Sequence, residues 1–203
     1  MDKPCAFCDR TQFEERHIYE SPGFHQIATL GQITDGGYTL IFPKEQVPCI
    51  GALDEKVIHE ELDLMVLSAA TITLCEYESP VTIVEHGKVA QTIPHAHIHI
   101  IPFDIKPSVA IAKDFPNAEV ESFYPLSKLA TLYQKNPRPY LFWIGHDEGP
   151  QVCWNPPAES MYWRIVAAKA LGRPERANWR TMDPELDRQL WSETVERFKP
   201  YYI

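Results

Sequence analysis

The segment Gln91–Pro102 reads QTIPHAHIHIIP and holds three of the chain's eight histidines at alternate positions. Because successive side chains of a β-strand point to opposite faces, a strand over residues 93–101 would place His95, His97 and His99 on one face. The intervening apolar residues would then point into a core. Three imidazoles on one face need partners for six ring nitrogens, so we expect this face to line a functional cleft rather than reflect chance polarity.

Two kinds of chemistry use such a row of histidines. Histidines two residues apart on a strand can chelate a metal ion, but such a site needs further ligands, and no Glu lies between His95 and Pro107. A neutral imidazole is also a good nucleophile, and a neighbouring imidazole can protonate a leaving group near neutral pH. The pattern by itself leaves both metal binding and nucleophilic or acid–base catalysis open.

The chain before the histidines predicts an antiparallel α+β unit. Residues 24–29 and 38–42 predict a hairpin, and the β-branched run 81–84 predicts a strand beside the histidine strand. Between them, residues 54–77 predict a long helix with Asp54 as its N-cap. Leu64, Val66 and Leu67 widen its apolar face, so we expect this helix to be buried on more than one side.

Residues 104–203 predict a C-terminal α/β extension, made of helices and a hairpin, that packs on the unit formed by residues 1–103. The segment 104–118 contains two prolines and is interpreted as a loop or crossover. The other predicted elements are helices at 122–134, 158–171 and 184–198 and strands at 140–144 and 151–154. Aromatic and arginine side chains of this half, above all Arg164, either form a stacking and phosphate-binding wall or pack structurally, and we favour packing.

Composition excludes several classes of function. The net charge of −9 argues against affinity for long nucleic acids. The first ten residues lack the apolar run of a signal peptide, and no uninterrupted apolar stretch is long enough to span a bilayer. We therefore expect a soluble cytoplasmic protein that does not interact with membranes.

The five cysteines are an odd number, which argues against a disulfide framework. Cys5 and Cys8 have the CxxC spacing of a zinc knuckle, and no strand precedes them as a thioredoxin-like redox site would require. Cys75 lies in the helical pattern and is expected to be buried.

The segment His95–Ile101 resembles the motif of the histidine-triad (HIT) superfamily, in which each His alternates with an apolar residue and two apolar residues close the motif. Gln91-Thr92 resembles the family's phosphate-contacting Gln-Ser/Thr pair, and Tyr38–Lys44 resembles its apolar strand ending in Pro-Lys. The resemblance covers about residues 1–103, and is to a little-characterised branch with an N-terminal CxxC and an extended C-terminus. It implies a HIT-like antiparallel sheet with a long helix.

The resemblance also implies a mechanism. His97 would attack an α-phosphate and form a covalent nucleotidyl-histidine, and His99 would bind the phosphate and help protonate the leaving group. His95 completes the catalytic triad, while Gln91 and Thr92 would hold phosphate oxygens. The implied activity is that of a nucleotide hydrolase or nucleotidyl transferase. Its substrates would be dinucleoside polyphosphates, nucleoside phosphoramidates or adenylated small molecules.

In one branch of the family a structural zinc is bound by the residues that correspond to Cys5, Cys8 and His95, and no organic cofactor is implied. The fourth position falls on Gln46, whose amide is a poor zinc ligand. Cys49, His17 and His86 therefore remain alternative ligands, and His86 could instead line the cleft or cap a turn, which we favour.

A catalytically silent, zinc-binding structural or interaction protein with the same fold is the alternative function. Gln46 favours this alternative, because it is a poor zinc ligand. Many family members bind ribose with an acidic residue, and the absence of an acid from residues 27–31 also favours the alternative. The intact triad favours an enzyme. The resemblance further implies a homodimer, which the second half of the chain could block.

Overall fold

A single antiparallel sheet of eight strands organises the computed structural model, which describes residues 5–202. The strands are β1 (His17–Glu20), β2 (Phe24–Ala28), β3 (Thr39–Pro43), β4 (Thr82–Glu85), β5 (Ile98–Ile101), β6 (Glu119–Ser122), β7 (Tyr140–Ile144) and β8 (Gln151–Trp154). Their order in the sheet is β1-β2-β3-β5-β4-β7-β8-β6. The predicted α+β class with an antiparallel sheet and a long helix is confirmed, and β1 and β6 are strands that the sequence did not predict.

The predicted long helix is present in three consecutive parts: α1 (Glu55–Val57), a π-helical turn (Ile58–Leu62) and α2 (Asp63–Tyr77). Asp54 is its N-cap, since its carboxylate accepts a hydrogen bond from the backbone N–H of Lys56 at 2.7 Å. The expectation of burial on several sides is wrong. Leu64, Leu67 and Cys75 face solvent because only one face of α2 packs on the sheet.

Four further helices belong to the second half of the chain. They are α3 (Pro107–Asp114), α4 (Lys128–Lys135), α5 (Tyr162–Ala170) and α6 (Pro184–Phe198). The interpretation of residues 104–118 as a loop is wrong, because α3 lies there. Its proline stands at the first helical position, where the missing N–H costs nothing.

The two faces of the sheet bury different cores. On one face, Ala96, Ile98 and Ile100 pack with Met65 and Ala69 of α2. The opposite face packs against α5, and there the sheet residues Phe42 (β3), Val84 (β4) and Trp143 (β7) share a core with Trp163 and Ala167 of α5. The sheet face that carries His95, His97 and His99 is therefore the face that α5 covers.

The two predicted units meet within the sheet, where β4 pairs with β7 and Val84 lies opposite Trp143. Strands of residues 104–203 thus continue the sheet of residues 1–103, and the division between the two units stays a prediction. Within residues 5–202, no helix is both long enough and apolar enough to cross a membrane.

Candidate active site

The three histidines sit at the start of β5 and just before it. The predicted strand over residues 93–101 is shorter than expected, since β5 begins at Ile98. Upstream of it, the Ala96 N–H donates to the carbonyl of Val47, outside the sheet. Proline at position 94 has no N–H to donate to a neighbouring strand. All three imidazoles are nevertheless buried, on the face opposite Ala96 and Ile98.

A cavity opens over two of the three histidines. Its lining includes His97 and His99 at the base and Thr92 from the predicted phosphate-binding pair, with Phe7, Arg16, Arg164 and Trp179 around them. Among the described residues, Gln91 and the ring of His95 are not part of this lining. Gln91 instead donates to the carbonyl of Pro48 at 3.2 Å. The structure thus brings Thr92, His97 and His99 together.

The tautomer of His97 follows from one hydrogen bond. Its Nδ1 lies 2.8 Å from the carbonyl oxygen of His95. A carbonyl only accepts hydrogen bonds, so Nδ1 carries the proton and Nε2 keeps its lone pair. Burial lowers the pKa of His97 to about 4, so the ring is neutral near pH 7.

His99 is held by a buried hydroxyl. Its Nδ1 lies 2.6 Å from the hydroxyl of Tyr38, and its Nε2 has no hydrogen-bond partner within residues 5–202. Burial places the pKa of His99 well below its usual value, and the neighbouring His97, His86 and Arg164 act in the same direction. A buried, unpaired nitrogen at a cavity wall costs free energy, and it is therefore well suited to meet a ligand atom.

A fourth histidine, His86, belongs to this site. Its ring stands nearly perpendicular to that of His99, with centroids 5.2 Å apart, and its Nε2 accepts the backbone N–H of Trp163 at 3.1 Å. The ring therefore packs against the triad, whereas we had favoured a role in capping a turn. Ligand nitrogens of His86, His97 and His99 lie within 4.8 Å of one another. In the sequence, one signal could have indicated this position: His86 directly follows β4, the strand that pairs with β5.

The ring of His95 faces the cysteine pair. Its Nε2 donates to the carbonyl of Pro43 at 2.8 Å, which leaves the Nδ1 lone pair directed at the sulfurs of Cys5 and Cys8, 3.3 and 3.6 Å away. Two sulfurs and a neutral imidazole whose other nitrogen is held by a carbonyl form a donor set that suits zinc. Cys5, Cys8 and His95 could thus hold a metal ion.

Gln46 is the side chain found next to this cluster. The Cys8 thiol lies 3.6 Å from its Oε1, and its Nε2 donates to the carbonyl of Pro94 at 2.9 Å. The structure places none of the three alternative ligands there. Cys49 is buried in the core beneath α2, His17 lies with Glu20 and His25, and His86 lies with the triad.

Most aromatic residues of the second half pack structurally, as favoured from the sequence. Trp143 and Trp163 are fully buried, and the Tyr140 hydroxyl donates to the buried carboxylate of Glu85 at 2.6 Å. Trp179 and Arg164 differ, because both line the triad cavity. The aromatic and arginine side chains of the second half therefore divide into two groups: most pack structurally, whereas Trp179 and Arg164 line the cavity.

A curated protein is similar in sequence to part of this chain. Over 92 residues the chain is 36% identical to the nitrilase and fragile histidine triad fusion protein NitFhit of Caenorhabditis elegans; the match covers 42% of this chain. It spans about a fifth, 20%, of the length of that curated relative. No protein-family model matches the chain.

Solved structures also align with about half of this chain. A HIT family protein from Bacillus anthracis aligns with a TM-score of 0.45 and 25% identity, over 51% of this chain and 75% of that one. A zinc-bound histidine triad family protein from Mycobacterium smegmatis aligns with a TM-score of 0.38 and 19% identity, over 50% and 68% of the two chains. In the motif His95–Ile101, and over the 92 residues matched to NitFhit, this chain is similar to proteins of the histidine-triad superfamily.

Proposed function

We propose that this protein is a nucleotide hydrolase or nucleotidyl transferase that acts at an α-phosphate through a covalent nucleotidyl-His97. The observation that carries the proposal is the hydrogen bond from Nδ1 of His97 to the carbonyl oxygen of His95 at 2.8 Å. It directs a neutral nitrogen with a free lone pair into the cavity that His99 and Thr92 also line.

In the first step, Nε2 of His97 attacks the α-phosphorus and its lone pair forms the N–P bond. The bond from phosphorus to the leaving group breaks, and its electron pair departs with that group. The charge that develops on the His97 ring is stabilised by the carbonyl of His95, which accepts the Nδ1 proton in a hydrogen bond. In the second step, water or another acceptor attacks phosphorus and loses a proton to the solvent. The N–P bond breaks, its electron pair returns to Nε2, and neutral His97 is restored.

His99 serves as the donor to the phosphate or the leaving atom. Burial raises the pKa of the Tyr38 hydroxyl, and Arg164 beside it acts in the opposite direction, so the hydroxyl keeps its proton. When this O–H donates to Nδ1 of His99, the proton of the neutral ring is on Nε2. The otherwise unpartnered Nε2–H can then donate to a substrate oxygen.

Thr92 and Gln91 are proposed as donors to phosphate oxygens. Thr92 already lines the cavity, whereas Gln91 must exchange its hydrogen bond to Pro48 for one to the substrate. His95 contributes to catalysis through its carbonyl, which orients His97, while its ring takes part in the metal cluster.

A structural zinc is proposed at Cys5, Cys8 and His95, with Gln46 at the fourth position. Bound there, the metal would tie the start of the described chain to the segment that precedes β5. No step of the proposed reaction is assigned to this metal, because His97 supplies the nucleophilic lone pair and His99 supplies a hydrogen-bond donor.

The decisive experiment looks for the covalent intermediate. The protein is incubated with an adenosine phosphoramidate labelled at the α-phosphate, quenched in alkali and examined for acid-labile label on the protein. We expect label in the wild type and in His59→Ala, an exposed control on the π-helical turn, and none in His97→Ala. Absence of label and of turnover across phosphoramidates and dinucleoside polyphosphates would support the catalytically silent alternative.

A further inference from the structure

A second cluster of metal-ligating side chains lies at the edge of the sheet, on the hairpin of β1 and β2. One ligand atom each of His17, Glu20 and His25 lies within 4.8 Å of the other two. Oε2 of Glu20 and Nδ1 of His25 are 3.2 Å apart. Two ligand atoms of one tetrahedral zinc are about 3.3 Å apart, because each bond is about 2.0–2.1 Å long. This pair therefore already has nearly the required separation.

A β-bulge brings the three side chains to one face of the sheet. Glu20 lies directly opposite His25, whereas His17 lies opposite Ile27, two residues further along β2. In a regular strand, His17 and Glu20 would point to opposite faces, because they are three positions apart. The register shift between His17 and Tyr19 inserts one extra residue and turns His17 to the face of Glu20 and His25. The irregularity of β1 thus assembles the cluster.

The two imidazoles of the cluster carry unpaired nitrogens. Nε2 of His17 and Nδ1 of His25 are buried and have no hydrogen-bond partner within residues 5–202. His25 is only 8% exposed, and the rings of Phe13 and Phe42 pack against it with centroids 5.2 and 5.5 Å away. A buried nitrogen without a partner costs free energy, which a bound metal ion would recover.

An ion pair between His25 and Glu20 does not explain the cluster. Burial lowers the pKa of His25 to about 4, and Lys44 acts in the same direction, against the opposite effect of Glu20. Burial also lowers the pKa of His17. Both rings are therefore neutral near pH 7, so each offers a lone pair to a metal ion rather than a charge to the carboxylate.

The carboxylate of Glu20 has an oxygen to spare. Arg10 and Lys44 contact its Oε2 at 2.9 and 3.3 Å, and in the described part of the chain no hydrogen bond uses Oε1. Both cations are partly exposed, and ion pairs of this kind are weak enough to rearrange. Their charge still opposes a dication, so we expect this cluster to bind metal less tightly than the cluster at the cysteine pair.

We propose that His17, Glu20 and His25 form a second metal site, which binds a divalent transition-metal ion such as zinc and stabilises the pairing of β1 with β2. Two imidazoles and one carboxylate are a known ligand set for zinc, with a fourth position left for water. Calcium and magnesium prefer oxygen ligands and do not suit this set. The site is separate from the cysteine pair and from the reaction proposed for the triad.

Zinc binding measured by calorimetry tests the site. The whole chain, as isolated, is titrated with zinc, and the wild type is compared with Glu20→Gln, His17→Gln and Glu14→Gln. The control residue Glu14 also pairs with Arg10 but does not belong to the cluster. Zinc bound by other histidines or cysteines is common to all four proteins, so only the difference between them matters.

We expect the wild type and Glu14→Gln to take up one zinc more than Glu20→Gln and His17→Gln, or to bind that zinc at least about tenfold more tightly. Equal binding by the wild type and Glu20→Gln would overturn the proposal. An equal loss in Glu14→Gln would overturn it as well.

A variant that gains affinity excludes misfolding as the explanation. Arg10→Gln removes the guanidinium that contacts Oε2 of Glu20. We expect the additional zinc to bind about twofold to fivefold more tightly in Arg10→Gln than in the wild type, the effect of removing one exposed ion pair. Unchanged or weaker binding would contradict the role of Glu20 as a ligand, whether or not the other variants fold.

Discussion

The Nδ1 atom of His97 lies 2.8 Å from the carbonyl oxygen of His95, the residue two positions earlier in the chain. This contact sets the protonation of His97 before any substrate arrives. The backbone of His95 thus orients His97, the proposed nucleophile, while the ring of His95 faces Cys5 and Cys8.

The pH dependence of covalent labelling should reflect the lowered pKa of the buried His97 ring. Burial lowers its pKa to about 4, and protonation removes the lone pair that attacks phosphorus. The single-turnover labelling rate should therefore stay level from pH 8 to about pH 5 and fall only toward pH 4, rather than near 6.5 as for a free imidazole. Rapid-quench measurements, with circular dichroism at each pH to verify folding, decide this; an inflection near 6.5 would contradict it.

Replacing Tyr38 by Phe should slow catalysis with little change in packing. The substitution removes the hydrogen bond to Nδ1 of His99 and with it the preference for a proton on Nε2. We expect kcat to fall by up to about tenfold, since a hydrogen bond between neutral groups is worth about 0.5–1.5 kcal/mol and 1.36 kcal/mol corresponds to a factor of ten in rate. The matched control is Tyr201→Phe, which removes a hydroxyl that donates to the half-buried Glu76, far from the cavity in sequence, and this variant should keep full activity. Equal kcat values for the two variants would refute this role of Tyr38.

The buried carboxyl group of Glu85 should make stability depend on pH. Burial raises its pKa to about 7, although the Tyr140 hydroxyl and the Ile50 N–H donate to it. Its folded-state pKa lies above the unfolded value of about 4.5, so its contribution to stability is complete below pH 4.5 and is lost as the pH rises through 7. The loss amounts to about 3 kcal/mol, at 1.36 kcal/mol per pKa unit.

Urea unfolding at pH 5 and pH 8 measures this contribution. The wild type should lose more stability between the two values than Glu85→Gln, which cannot ionise, and the difference should approach the stated loss. Glu193→Gln, at a partly exposed position of α6, should behave like the wild type. Parallel pH profiles for wild type and Glu85→Gln would show that the carboxyl group does not titrate in this range.

Zinc should be lost when a cysteine of the metal cluster is replaced. Cys5→Ser removes one of two sulfurs beside His95, whereas Cys75→Ser changes an exposed cysteine outside the cluster. We expect about one zinc per chain in wild type and Cys75→Ser, and little in Cys5→Ser, by elemental analysis. Losing a structural ion worth at least about 2 kcal/mol should lower Tm by about 4–8 °C for a chain of this size. Equal zinc contents would argue against this site.

The fold of the first half followed closely from local patterns. The hairpin of β2 and β3, the capped long helix and the apolar face formed by Ala96 and Ile98 were all readable, because periodicity and capping depend on near neighbours. Strands β1 and β6 were not predicted, because they form the two edges of the sheet and their partly exposed side chains give no apolar run. The equally short strands β4 and β8 are buried and were predicted. Exposure of Leu64 and Leu67 depends on which side of α2 meets the sheet, which no local pattern records.

The sequence by itself determined the triad face, because strand alternation and the motif are encoded within seven consecutive residues. Only the tertiary structure brought His86 beside His99 and turned the ring of His95 toward the cysteines. It alone placed Arg16 and Arg164 at the same cavity. These contacts join segments distant in the chain, as in the hydrogen bond between His86 and Trp163, 77 residues apart. Such proximity comes from packing of the sheet against α5, which is a property of the whole fold.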